Sequence, residues 1–77
     1  MTEKSYIITI MLKRGILDNA GRAVTRALNT MGHSNVEDVR IGKTIQIKTN
    51  QDIETIAKAL VNDVMEDYWI ECLDEVD

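Results

Sequence analysis

The sequence predicts a ferredoxin-like α+β sandwich, βαββαβ, with four antiparallel strands in the order 4-1-3-2 and both helices on one face. Three observations predict it. Period-two stretches flank two stretches of helical spacing in the required order. The chain has 77 residues, room for one domain, read here as 1–77. No proline and no Ser/Gly-rich linker divides it.

The first strand runs from Tyr6 to Lys13, with Tyr6, Ile8, Ile10 and Leu12 on one side and Ile7, Thr9 and Met11 on the other. A strand apolar on both faces reads as central. After Gly15, Asp18 offers an N-cap carboxylate. Ala20, Ala23, Val24, Ala27, Leu28 and Met31 then recur at helical spacing until Gly32 supplies a C-cap. Val36 to Ile41, Gly42-Lys43 and Thr44 to Lys48 read as a hairpin in which Ile45 and Ile47 face the core. A second helix starts near Asn50 to Asp52, buries Ile53, Ile56, Ala57, Leu60 and Val61, and ends at Asn62-Asp63. Tyr68 to Leu73 is the last strand. Setting it beside the first places Ile7, Met11 and Trp69 on the face the helices leave open, and an apolar open face is an interaction surface.

Composition narrows the function. The formal charge is -4, with acid collected toward the end in Glu66, Asp67, Glu71, Asp74, Glu75 and Asp77. That balance excludes nucleic acid as the expected partner, because such binding rests on a basic face. An RNA-recognition sheet of the same topology also needs aromatics exposed on its central strands. Here Phe is absent and Tyr6, Tyr68 and Trp69 are the aromatics. The longest apolar stretch, Tyr6 to Leu12, is interrupted by Thr9 and far short of the ~20 residues that span a bilayer, so no membrane is expected. The start, Met-Thr-Glu-Lys, is no signal sequence, and Cys72 is the lone cysteine. Both point to a reduced, cytoplasmic protein. A core of this size leaves little surplus over chain entropy, so a dimer or tetramer that buries part of the sheet is expected.

Catalytic patterns are sparse. A nucleophile wants a base held by a third group, and the single histidine, His33, falls in the loop after the first helix, with nothing local linking it to Cys72. A zinc site would need clustered Cys or His. Gly42-Lys43-Thr44 resembles the end of a phosphate loop, but Glu37 stands where the earlier glycine belongs. The context is also a hairpin rather than a strand-to-helix turn. Arg22 and Arg26 lie one turn apart on the first helix, with Asp18 placed to pair with Arg22 at i,i+4, either as a solvated face or as a patch for an acidic partner.

The run Leu12-Lys13-Arg14-Gly15-Ile16-Leu17-Asp18-Asn19-Ala20-Gly21-Arg22-Ala23-Val24 resembles the signature stretch of the PurS family, small subunits of phosphoribosylformylglycinamidine (FGAM) synthase. Similar residues continue through Ala27-Leu28, Met31-Gly32, Val36, Val39-Arg40-Ile41-Gly42-Lys43 and Asn62-Asp63-Val64-Met65-Glu66-Asp67-Tyr68. Arg14, Asn19 and Asp63 stand where the family often has proline, which raises unfolded-chain entropy without forbidding the turns. The resemblance implies a role in purine synthesis, where formylglycinamide ribonucleotide, glutamine and ATP become the amidine, glutamate, ADP and phosphate. A glutaminase subunit releases ammonia, and a large synthetase subunit uses ATP and Mg to activate the substrate. The PurS-like chain joins them as a homodimer or tetramer, with no catalytic residue, cofactor or metal of its own. The contacts expected on this reading are Lys13, Asp18, Gly21, Arg22, Arg40, Gly42 and Lys43, with Ile7, Met11 and Trp69 on the open sheet. The rival reading is a small-molecule sensor of the ACT type, which shares the element order and would use Lys13 to Gly21.

Overall fold

The computed structural model describes residues 3–73; Asp74, Glu75 and Asp77 of the expected acidic end lie outside them. The elements are β1 (Lys4–Leu12), α1 (Asn19–Thr30), β2 (Lys43–Thr49), α2 (Ile53–Leu60) and β3 (Glu66–Cys72). The sheet has three strands in the order β2-β1-β3, both pairings antiparallel. This corrects the four-stranded expectation. The central place of β1 and its two neighbours agree with the predicted order, and the missing member is the outer strand, Val36 to Ile41.

That segment fails as a strand for local reasons. Glu37 and Asp38 suit a strand poorly, and its polar groups are engaged by the first helix instead. Asn29 Nδ2 donates to the Val36 carbonyl at 3.4 Å, and the Ile41 amide donates to Asp18 Oδ2 at 2.8 Å. The segment runs back along α1, where Glu37 and Asp38 line a groove with Arg22, Thr25 and Arg26.

A second correction concerns α1, which does not cover the sheet. Its first turn reaches the groove lined by Ile10 and Leu12, but Ala23 and Ala27 are exposed, Val24 is 37% exposed and Met31 70%. The helix forms an arm. The radius of gyration is 16.3 Å and the extents are 52 × 31 × 13 Å, whereas a compact chain of this length has a radius of about 11–12 Å. The arm is regular at both ends: Asp18 caps its start, and the Gly32 and His33 amides donate to the Asn29 and Leu28 carbonyls at 3.1 and 2.9 Å. With Gly32 at φ +103 this is a Schellman ending.

The covered face belongs to α2. Ile8, Ile10, Ala57 and Val61 form the buried core, and Ile45, Ile47, Ile53, Tyr68 and Ile70 pack around it. Each strand gives alternate residues to this side, because the pairs Ile8↔Ile45 and Ile8↔Ile70 stand in register. The Tyr68 hydroxyl donates to Glu54 Oε1 at 3.2 Å and ties β3 to α2. No helix is long and apolar enough to cross a membrane among the described residues.

Candidate functional site

The signature residues converge where the arm leaves the sheet. Asp18 is the centre of this root. Its Oδ1 accepts from the Gly21 amide at 2.8 Å, the N-cap bond, and its Oδ2 accepts from the Ile41 amide at 2.8 Å, across 23 positions of chain. These two amides, the Ile41 bond foremost, with a smaller contribution from the Arg40 guanidinium, hold the Asp18 carboxyl below the usual carboxylate range. Its expected i,i+4 pairing with Arg22 does not form: the only ion pair among the described residues is Lys13–Asp67.

Arg40 completes the root. Its Nη2 donates to the Leu12 carbonyl at 2.6 Å and to the Lys13 carbonyl at 3.3 Å, closing the end of β1. Lys13 donates through its amide to the Met65 carbonyl at 2.8 Å and through Nζ to Asp67 at 2.7 Å. The latter pair is exposed, of a kind that contributes about 0–1 kcal/mol. Lys13 and Arg40 thus have duties inside the chain, while Arg22 and Lys43 are exposed.

Two glycines allow the close approach. A Cβ on Gly21 would collide with the Val39 carbonyl and crowd Asp18, and one on Gly42 would collide with Met11 Sδ and the Ile10 carbonyl. Gly21 is buried in the root, and Gly42 sits just before Lys43, the β2 residue paired with Ile10. A side chain at Gly21 would push α1 off the segment that follows it, and one at Gly42 would push the start of β2 off the end of β1.

The open side of the sheet carries Ile7 and Met11, both half-buried, and Trp69, 57% exposed and opposite Thr9. Together with Leu17 just before the arm, Val24 within it and Met31 at its end, at 58%, 37% and 70% exposure, they leave the chain with two apolar surfaces it does not cover itself. Burial of this kind of surface is the main source of association energy. Cys72, at the end of β3 beside Tyr6, is exposed. His33 is exposed at the far tip of the arm. Among the described residues no group of three or more His, Cys, Asp or Glu is placed to hold a metal ion.

Sequence reasoning named Asp18, Gly21, Arg40 and Gly42 but did not foresee that one carboxylate joins Gly21 to Ile41, nor that Arg40 closes β1. It also missed Leu17 as part of the arm's apolar surface. Leu17, Ala20, Val24, Ala27 and Met31 are spaced by three or four residues, and that spacing carries the signal.

Comparison with known proteins places this architecture among solved folds. The family model PurS, Phosphoribosylformylglycinamidine (FGAM) synthase, matches residues 5–74. The chain is 38% identical to phosphoribosylformylglycinamidine synthase subunit PurS of Bacillus subtilis, over 83% of this chain and 86% of that one. It is also 38% identical to the subunit of the same name in Methanocaldococcus jannaschii, over 82% and 87%. The crystal structure of B. subtilis PurS superposes with a TM-score of 0.77 at 34% identity, covering 92% of this chain and 99% of that one. A structure of PurLQS from Thermotoga maritima contains a chain that superposes at 0.78 with 26% identity, over 95% and 100%.

Proposed function

The chain belongs to the PurS family, subunits of FGAM synthase, and from that premise we propose that it is the non-catalytic bridge of the complex, holding a glutaminase subunit and an ATP-dependent synthetase subunit in register. Family membership lends nothing to the small-molecule sensor reading. One observation supports the bridging role most: a 77-residue chain keeps two apolar surfaces, the arm and the open sheet, uncovered. An isolated domain gains nothing from that exposure, whereas a connector needs it. The PurLQS assembly of the Thermotoga relative agrees with two further kinds of subunit as partners.

The reaction gives the bridge its purpose. Ammonia released from glutamine must reach the activated amide unprotonated and out of bulk water, so the glutaminase and synthetase sites have to face one sealed path. A scaffold serves this with surface alone, while ATP and Mg stay with the synthetase. On this reading the protein is a cytoplasmic homodimer or tetramer. Ile7, Met11 and Trp69 join the apolar interfaces, Arg22 and Lys43 reach acidic groups on partners, and Lys13, Asp18, Gly21, Arg40 and Gly42 shape the surface at the root.

The purified chain alone is expected to have no glutaminase and no ATPase activity. Cys72→Ser in the reconstituted complex is expected to leave both glutamine-dependent and ammonia-dependent synthesis within twofold of wild type, about 0.4 kcal/mol. Loss of turnover in that variant, with assembly intact, would place chemistry on this chain.

A further inference from the structure

The arm is joined to the sheet by two separate tethers, the segment before α1 and the segment between α1 and β2. Two unlinked tethers would let a 12-residue helix swing against the sheet, since the helix makes no broad packing contact with it. Three contacts fix the second tether at the root: to the first tether, to the end of β1 and to α1. Asp18 on the first tether accepts from the Ile41 amide on the second at 2.8 Å, Arg40 on the second donates to the Leu12 carbonyl at 2.6 Å, and Gly21 seats against the Val39 carbonyl.

We propose that Asp18 is a positioning residue: by bonding Ile41 with one oxygen while capping α1 through Gly21 with the other, it sets the direction of the arm and thereby the register of the subunits the arm engages. The second half rests on the bridging role proposed above. A helix cap alone needs one acceptor, and serine or asparagine supplies it as well as aspartate does. The second oxygen has no use in capping. It is spent on a residue 23 positions away, at the point where the chain turns into β2. Asparagine has the same shape but only one acceptor oxygen, its amide nitrogen being a donor that would face the other N–H.

Asp18→Asn separates the two duties, with Asp18→Ser, too short to span both amides, as the second variant. Helicity is read by circular dichroism, the Ile41 amide by hydrogen exchange, and synthesis from glutamine and from ammonia in the complex reconstituted with both partner subunits. The expected result is native helicity and native association, Ile41 exchange faster by about tenfold or more, and glutamine-dependent synthesis reduced roughly ten- to hundredfold with ammonia-dependent synthesis unchanged. If Asp18→Asn does not fold, Asp18→Ser is read in its place. Wild-type protection of Ile41, or an unchanged ratio of the two activities, overturns the proposal. So does a folded variant that no longer binds its partners, which would make Asp18 a contact residue. If the wild-type chain itself does not support glutamine-dependent synthesis, the bridging role fails, while Ile41 exchange still decides whether Asp18 fixes the root.

Discussion

Ile8→Ala is expected to destabilise the chain by about 2–5 kcal/mol, a large share of its folding free energy. Ile8 is 0% exposed at the centre of β1, between Ile45 on β2 and Ile70 on β3 and beneath the α2 stripe that includes Ala57. A domain of this length holds roughly 4–12 kcal/mol in total. Among the described residues, Ile8 and Ile10 are the only large, fully buried side chains, so little remains to fill the cavity. Ile7, the next residue, faces the other side and is only half-buried. Ile7→Ala is therefore expected to cost under about 1.5 kcal/mol in the dissociated chain. Urea unfolding at low protein concentration compares the two. Equal midpoints for the variants would mean that the sheet does not have the sidedness described.

Val24→Asp is expected to abolish self-association or partner binding while the chain still folds. Val24 lies in the middle of the arm's apolar stripe and is 37% exposed, so a carboxylate there remains hydrated in the free chain. Valine and aspartate also differ little in helix propensity. In an interface the same charge would be buried without a partner, at a cost of about 3–5 kcal/mol, which weakens association by more than about hundredfold. Trp69→Ala tests the open sheet in the same way. Its ring is 57% exposed and contributes little to the core, yet buried tryptophans at interfaces commonly contribute about 2 kcal/mol or more. Sedimentation at micromolar concentration, alone and with the partner subunits, reads both variants. Wild-type association in Val24→Asp would show that the arm is not an interface.

Much of the fold was legible because its elements carry local signals. The period-two run around Ile8, the Asp18 cap, the Gly32 ending and the Ile53-Ala57-Val61 stripe each specify an element without reference to the rest of the chain. Two features were not legible. The apolar periodicity of α1 says that the helix wants covering, but not whether this chain or another covers it, so a helix expected on the sheet is in fact an arm. Val36 to Ile41 has enough β-branched residues to resemble a strand, but its backbone is claimed by Asp18 and Asn29, contacts that no local pattern encodes. The candidate residues divide in the same way. Ile7, Met11 and Trp69 followed from the alternation of the sheet and lie on its open face. Arg40 and Lys13 were expected as contacts to partner subunits, and only three-dimensional placement shows Arg40 closing the end of β1 and Lys13 meeting Asp67.

The role proposed for this chain is to couple two other active sites while performing no chemistry itself. It is tested most directly by measuring FGAM formation by the glutaminase and synthetase subunits, with glutamine or with ammonium chloride as nitrogen source, while the chain is titrated in. Ammonia-dependent formation is expected to be present from the start and to change little. Glutamine-dependent formation should rise from near zero and saturate at a fixed stoichiometry of chain to partners. Glutamine-dependent formation at full rate without the chain, or saturation at catalytic rather than stoichiometric amounts of it, would leave the chain no bridging role.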